Sequence, residues 1–377
     1  MFNNFRKNHI LKIFKGYESA QKQPIDAYFN HYLRKNKAIG SNDRKFISES
    51  IFSIIRHLGF IDAHFISPAT WDDRVNFFFS GNIATKIKNS KFPPHIKLSF
   101  PKELYTLLVK NFGAKKTRTF CEQSNIAAPV MIRINTLKTT RDRLFRSWKD
   151  SYNISLCPHS KDGIIFHKKI NFYTLSEFKS GLFEVQDEAS QLIGNLVLAR
   201  PGEEVLDFCA GAGGKSLCIA PNMENKGQIY LHDIRKGALI SAKKRLKRAG
   251  IQNAQIIFES PKRLKRLKNR MDWVLVDAPC SGSGTYRRNP DQKWKFSQEM
   301  LDNVIADQRT IFDDAIRYLK PKGKIVYATC SVLIQENQEQ MNYFCEKYQL
   351  TPVGTPFTSL PSEGCMDGFF GIVLKRI

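Results

Sequence analysis

The chain of 377 residues is long enough for two or three domains, each with its own core. Its hydrophobic content of 42% and charged content of 25% are ordinary for a soluble globular protein, and no apolar run suggests a signal peptide or a membrane span. Lys and Arg number 59 against 35 Asp and Glu, and this net charge of +24 favours a polyanionic partner, nucleic acid before an acidic membrane surface.

The eight cysteines are scattered through the chain without a CxxC pair. This spacing argues against a zinc site and against a secreted disulfide framework. We therefore expect a cytoplasmic protein with free thiols and no bound metal. We also expect a monomer that does not associate with a membrane.

Residues 1–90 are predicted to form a helical region. Asn42 and Asp43 are expected to cap a helix whose apolar residues recur at helical spacing. Basic residues punctuate the region, and it stays open whether they contact RNA or form a solvated face. The segment Lys86–Pro94 has the composition of a linker.

Residues 91–184 are predicted to form a small α/β module that recognises RNA. We expect helices at 103–112, 116–124 and 140–152, and strands at 130–134, 164–166 and around 172–173. Arg133 and Asn135, at and after the first strand, are the candidate RNA contacts. A surface ion pair is the alternative for Arg133.

Residues 185–377 alternate strand and helix, as in an α/β fold with a doubly wound, Rossmann-like sheet. A helix is predicted from Lys236 to Ala249, with Gly250 after its last turn. The predicted strands are 204–208, 228–233, 255–258, 273–277, 324–328 and 369–374.

A glycine-rich turn follows the first of these strands and leads into a helix. It lacks the GxGxxG fingerprint and the P-loop spacing, and is closer to the shorter turn of methyltransferases that bind S-adenosylmethionine. Asp233 ends the next strand, where a carboxylate can accept hydrogen bonds from ribose hydroxyls. The cofactor-binding candidates here are Cys209, Ala210, Gly211, Ala212, Gly213, Gly214, Lys215 and Asp233.

Two cysteines follow strand ends further along the chain. Cys280 comes after the strand that ends at Asp277, and Cys330 comes after the strand that ends at Ala328. Neighbouring parallel strands end at one edge of a sheet, so we expect Asp277 and both thiols to lie together. Two small buried cysteines without chemistry are the alternative. Arg287 and Arg288 follow closely and suit an anionic substrate, unless they pair with an acidic residue or a helix end.

These motifs resemble those of the RsmB/Nol/Nop/Sun family of RNA cytosine-5 methyltransferases, and within it the bacterial ribosomal RNA enzymes of RsmB type. The resemblance covers about residues 100–377, and a weaker likeness to part of a NusB-like domain lies around Asp43. The matching motifs are IRINTLK at 132–138, VQDEAS at 185–190, LDFCAGAGGK at 206–215, DAPCSGSG at 277–284, RRNPDQKW at 287–294, ATCS at 328–331 and DGFF at 367–370.

Two departures from the family pattern stand out. Gly211 and Ala212 replace an Ala-Pro pair, which keeps the glycine turn, so we expect cofactor binding to survive. Where the family has an Asp near the adenine, this chain has Ser260, with Glu259 as a possible substitute.

The resemblance implies methyl transfer from S-adenosylmethionine to carbon 5 of a cytosine in RNA, with 16S ribosomal RNA as the expected substrate. It assigns the attack on carbon 6 to Cys330, the resolution of the covalent adduct to Cys280, and the grip on the base to Asp277, which also borders the cofactor. Another RNA such as tRNA, or a non-catalytic RNA-binding or ribosome-assembly role, is the alternative. Cytosine-5 methylation of DNA is disfavoured, because those enzymes lack the Thr-Cys-Ser strand end.

Overall fold

The computed structural model describes residues 4–20, 23–258, 264–362 and 365–376. They form two compact units. The first, called the helical unit below, comprises Met1–Ala127 and Thr285–Met300; the second, called the sheet unit, comprises Ala128–Gly284 and Leu301–Ile377. None of the helices in the described ranges is long and apolar enough to cross a membrane.

The helical unit has an apolar core that includes Phe14, Ile47, Ile51 and Ile54. The last three recur at helical spacing, which places them on the inner face of one helix. The helices of residues 1–127 are Asn4–Glu18, Ile25–Lys35, Ser41–Arg56, Leu58–Asp62, Trp71–Phe79, Ile83–Asn89, Pro94–Lys97 and Lys102–Ser124.

Two local predictions for this unit are wrong. The third helix begins at Ser41 after Gly40, without a side-chain cap, so Asn42 and Asp43 lie inside its first turn. The expected linker is largely helical, because the Asn82 side chain accepts hydrogen bonds from two backbone N–H groups and starts a helix that runs to Asn89.

The helix Lys102–Ser124 is bent at Gly113, which has φ 76° and ψ 162°. This backbone conformation is open almost only to glycine. The two predicted helices on either side of the bend are confirmed as its two arms.

The sheet unit begins with a four-stranded antiparallel sheet in the order β2-β3-β1-β4. A helix, Arg141–Trp148, packs its Leu144 and Trp148 against it. The strand expected around residues 172–173 is instead a 3-10 turn, Phe172–Thr174, started by the Asn171 side chain. The strands are β1 (Val130–Ile134), β2 (Ile154–Leu156), β3 (Gly163–Phe166) and β4 (Phe183–Val185).

The larger sheet has the order β10-β12-β9-β8-β5-β6-β7, with β11 beside β12. The five strands from β9 to β7 run parallel, and β12 is antiparallel to β9. This confirms the predicted Rossmann-like α/β class. The strands are β5 (Glu204–Asp207), β6 (Gln228–His232), β7 (Ala254–Ile257), β8 (Met271–Asp277), β9 (Leu319–Thr329), β10 (Leu350–Pro352), β11 (Phe357–Thr358) and β12 (Phe370–Arg376).

Helices connect these strands and cover the sheet. The predicted helix Lys236–Ala249 is confirmed, and Gly250 after it has the left-handed φ of 78°. The other helices whose bounds lie within the described ranges, from residue 176 onward, are Ser176–Lys179, Glu188–Gly194, Ser216–Ile219, Gln298–Ala315 and Gln338–Tyr348. The chain order reverses between β5 and β8, and ligands of open α/β sheets bind at such a switch point, beyond the carboxyl ends of the strands.

Candidate active site

The glycine turn leaves β5 at the switch point. Gly211 and Gly213 have positive φ angles of 54° and 75°, so both positions favour glycine. A Cβ on Gly213 would lie 3.1 Å from the Cβ of Ala242, so this glycine also lets the turn approach the helix Lys236–Ala249. A Cβ on Gly214 would meet only the Gln186 side chain, at 4.0 Å. The turn therefore presents bare backbone to a ligand.

Asp233, after the end of β6, is tied to the glycine turn. Its Oδ2 accepts a hydrogen bond of 2.7 Å from the backbone N–H of Gly211. The backbone and side chain of Arg235 donate to both of its oxygens. Although burial alone would raise the pKa of Asp233, these hydrogen bonds lower it below its usual value. Asp233 is therefore an ionised acceptor beside the turn.

Lys215, the last residue of the turn, reaches the end of β8. Its Nζ lies 2.5 Å from Oδ2 of Asp277, and its side chain is 8% exposed. Burial alone would lower the pKa of Lys215, but the charges of Asp277 and Cys330 raise it. Lys215, predicted only as a cofactor-binding residue, is therefore paired with Asp277, a contact that the sequence did not indicate.

The strands β8 and β9 bring the two predicted thiols together. Asp277 is in register with Ala328, as expected for neighbouring parallel strands. Beyond these residues the Sγ atoms of Cys280 and Cys330 lie 3.2 Å apart. The hydrogen bond to Cys330, burial, and the negative charges of Cys330 and Glu336 raise the pKa of Cys280 well above its usual value. Burial beside a second thiol and a carboxylate therefore disfavours the Cys280 thiolate, and either thiol can be the donor in the contact between them.

Glu336 links the loops that carry Cys280 and Cys330 through hydrogen bonds to both. It is fully buried and accepts hydrogen bonds from the backbone N–H and the hydroxyl of Ser281, and from the hydroxyl of Ser331. The side-chain amide of Gln308 donates a fourth, of 3.0 Å. These serines directly follow Cys280 and Cys330, so Glu336 fixes the distance between the thiols. Sequence reasoning missed this residue.

The two residues predicted to contact RNA from the small sheet are buried. Arg133 is 3% exposed, and its Nε donates to the Gln186 side chain, which in turn donates to the carbonyl of Gly214. Asn135 is 4% exposed and donates to the carbonyls of Gly181 and Ala249. This corrects the expectation that Arg133 and Asn135 contact RNA, because both side chains are buried and form hydrogen bonds within the sheet unit.

The remaining predicted residues lie elsewhere. Arg287 and Arg288 belong to the segment Thr285–Met300 of the helical unit, where Arg287 is buried and Arg288 is half-buried. The carbonyl of Arg287 accepts a hydrogen bond from Arg56. Glu259 and Ser260 lie outside the described residues.

Two family models match the chain. One, described as 16S rRNA methyltransferase RsmB/F, matches residues 195–370. The other, described as the ferredoxin-like domain of RsmF/B-like methyltransferases, matches residues 100–173. Together they cover the glycine turn, both thiols and most of the small sheet.

Proteins named ribosomal RNA small subunit methyltransferase B are similar to this chain. The one from Vibrio vulnificus is 34% identical over 69% of this chain and 62% of its own length. The one from Vibrio cholerae is 31% identical over 71% of this chain and 64% of its own length. The chain thus spans less than two thirds of the length of these relatives.

The crystal structure of PH0851 has the same fold. It matches with a TM-score of 0.82 over 98% of each chain, at 23% identity. At that identity the likeness shows the fold alone.

Proposed function

Because the chain belongs to the RsmB/F family of methyltransferases, we propose that it transfers a methyl group from S-adenosylmethionine to carbon 5 of a cytosine in RNA, with 16S ribosomal RNA as the substrate. The observation that carries this proposal is the pair of thiols, Cys280 and Cys330, whose sulfurs lie 3.2 Å apart at the sheet edge that holds Asp277. Methylation of carbon 5 needs a nucleophile and a releasing group together, and this pair supplies both.

The residues of the glycine turn fit S-adenosylmethionine. The backbone from Cys209 to Gly214 gives room for the cofactor, since side chains at Gly211 and Gly213 are disfavoured by their φ angles. The ionised Asp233 is suited to accept hydrogen bonds from ribose hydroxyls if Arg235 yields part of its contact, and the Arg235 side chain is 69% exposed. When bound, the cofactor supplies an electrophilic methyl group.

Carbon 5 of cytosine is a poor nucleophile until carbon 6 is attacked. In the proposed reaction the Cys330 thiolate forms a bond to carbon 6, which makes carbon 5 enamine-like. The S–H group of Cys280 donates to the attacking sulfur, and the Lys215 ammonium is its candidate counter-ion. The family resemblance carries this division of roles, and the distance of 3.2 Å between the two sulfurs is compatible with it.

Cys280 acts after methyl transfer, when carbon 5 carries both a methyl group and a hydrogen. Once Cys330 is bonded to carbon 6 its sulfur is an uncharged thioether, so the hydrogen bond and the charge of Cys330, which both raise the pKa of Cys280, are weakened. Cys280 can then release its own proton to solvent and accept the proton of carbon 5. The C–H electron pair restores the double bond between carbons 5 and 6 as the bond to Cys330 breaks.

Asp277 is the group proposed to hold the base. Its Oδ2 is occupied by Lys215, and its side chain is 31% exposed, which leaves Oδ1 to accept a hydrogen bond from the amino group of the cytosine, beside N3. A cytosine within a duplex cannot reach a thiol at the end of a strand, so the target base must be single-stranded or flipped out.

Transfer of a labelled methyl group to small-subunit ribosomal RNA tests the proposal, with tRNA as the comparison substrate. Cys330→Ala should reduce methylation by roughly a thousandfold or more and abolish the covalent adduct with RNA. Cys280→Ala should accumulate an RNA–protein adduct that survives denaturation.

The outcomes separate the alternatives. Wild-type protein that methylates no RNA would contradict the proposal and favour a binding role. Methylation of tRNA alone would keep the chemistry and change the substrate. An adduct that builds up in Cys330→Ala would exchange the roles of the thiols.

A further inference from the structure

A groove of about 850 Å³ lies wholly within the helical unit. Its walls come from the helices Ile83–Asn89 and Pro94–Lys97 and from both arms of the bent helix Lys102–Ser124. This volume is within the range of roughly 300–1,000 Å³ typical of ligand-binding sites. None of the residues assigned above to methyl transfer lines it.

Several cations are among the residues that line the groove. Lys88, Lys97 and Lys115 line it and have no ion-pair partner among the residues that the structure describes. Glu122 is the acidic residue of the lining, and its carboxylate is already paired with Arg118 at 2.9 Å. Three lysine charges are therefore left for an anionic ligand that follows the groove.

Apolar and aromatic side chains also line the groove. Tyr105 and Phe92 line it and are half-buried, and Ile126 beside them is 48% exposed. Phe92 is held edge-on against His64, with ring centroids 5.0 Å apart. A groove lined by both partly exposed rings and lysines suits a flat aromatic group joined to phosphates, whereas an acidic peptide offers charge without such a group.

The bend at Gly113 gives the groove its shape. It places Tyr105 on the first arm and Lys115 and Arg118 on the second arm along one cavity. Without the bend the arms would continue in line, and the ring and these cations would lie on a single extended helix.

We propose that this groove binds a single-stranded segment of RNA, with phosphates on Lys88, Lys97 and Lys115 and a base stacked on Tyr105. Single-stranded RNA is the form that offers both features, because the base faces of a duplex are stacked on one another and closed to side chains. The inference rests on the proposed function in one respect, the choice of RNA as the class of ligand.

Binding of a fluorescein-labelled oligouridylate of about a dozen nucleotides to the full chain tests the proposal. This probe has no cytosine, so base-specific contacts at the thiols cannot contribute. The triple variant Lys88→Gln, Lys97→Gln, Lys115→Gln should bind at least tenfold more weakly, and the slope of log affinity against log salt should fall by about 2, or roughly 0.7 per lost phosphate contact.

A matched control removes the same charge from the same unit. Lys35, Lys37 and Lys45 are exposed and lie outside the groove, and changing all three to Gln should weaken binding less than about threefold. Tyr105→Leu should weaken binding roughly tenfold, whereas Tyr105→Phe keeps the stacking ring and should bind as wild type does. Circular dichroism melting identifies any variant that fails to fold.

Equal losses in the two lysine triples would overturn the proposal, and so would equally effective competition by oligoglutamate of the same charge. If the protein methylates ribosomal RNA but its groove variants bind the oligonucleotide as wild type does, the role of the groove is contradicted and the proposed function is not. If the groove variants lose binding but the protein methylates no RNA, the proposed function is contradicted and the role of the groove is not.

Discussion

Glu336 positions the two thiols indirectly, through its hydrogen bonds to Ser281 and Ser331, the residues that follow the two cysteines. In Glu336→Gln an amide N–H₂ group replaces one acceptor oxygen and faces the hydroxyl and N–H donors of Ser281 and Ser331. A mispaired buried group of this kind costs about 1–3 kcal/mol of stability. A displacement of the thiols approaching 1 Å would lower kcat by roughly a hundredfold, which the methyl-transfer assay would measure.

Loss of the Glu336 charge has a second consequence that a purely structural role would not produce. That charge contributes to the raised pKa of Cys280, so its removal should move the pH profile of Cys280 alkylation to lower pH. Glu339→Gln removes the same charge from an exposed position three residues further on and should leave both measurements unchanged. An unshifted alkylation profile in Glu336→Gln would rule out the electrostatic part of this argument.

At the scale of single residues, the positions of the two cysteines could be predicted from the sequence, whereas the role of Glu336 could not. Cys280 and Cys330 were predictable neighbours because each follows an apolar run of the kind that forms adjacent parallel strands. Glu336 is separated from Ser281 by 55 residues, and its burial depends on tertiary hydrogen bonds that leave no local pattern. Arg133 was placed on the surface for the same reason, because its partner Gln186 lies 53 residues away.

At the scale of elements, the bend in the helix Lys102–Ser124 depends on one glycine. A Cβ at Gly113 would meet nothing within 4 Å, so the cost of Gly113→Ala comes from the backbone alone. Strain at φ 76° and ψ 162° costs about 1–3 kcal/mol, which should lower the unfolding temperature of the full chain by roughly 2–10 °C.

Gly237→Ala is the matched control, since it also has open space but lies in a helix without a positive φ. Removing backbone freedom from the unfolded chain should stabilise that variant by about 0.4–1 kcal/mol. Calorimetric unfolding of both variants should therefore give shifts of opposite sign. A stabilised Gly113→Ala would mean that the bend is not held by the glycine conformation.

Elements of the buried sheet were predicted to within a few residues, because a strand covered on both faces is a continuous apolar run, as in β8. The short edge strands β10 and β11 were not predicted, and β9 begins at Leu319, five residues before its predicted start. Other errors fall on short elements outside that sheet. The 3-10 turn Phe172–Thr174 and the helix Ile83–Asn89 both depend on an asparagine side chain that bonds to nearby N–H groups. Such side chains serve turns and helix starts equally well, so the sequence alone does not decide between them.

For the whole molecule, the resemblance to the methyltransferase family is confirmed, and so is the fold class. The division at residues 90 and 184 stays a prediction. The structure shows one feature that no linear division could give: residues 285–300, which follow the Cys280 loop in the chain, belong with the helices of residues 1–127. A segment that returns to an earlier unit carries no boundary signal in composition, because its apolar and basic residues match those of its surroundings.

The net charge of +24 makes a prediction for the complete protein. If about six phosphates of single-stranded RNA are neutralised, the slope of log affinity against log salt should be near −4, since each contributes roughly −0.7. Affinity for a 16S ribosomal RNA fragment should then fall several-hundredfold, on the order of 10²–10³, between about 50 and 200 mM salt. Fluorescence anisotropy measures this slope. The KM for RNA should rise with salt while kcat stays nearly constant, because the thiol chemistry involves no phosphate; a flat slope would mean that the excess charge does not serve RNA binding.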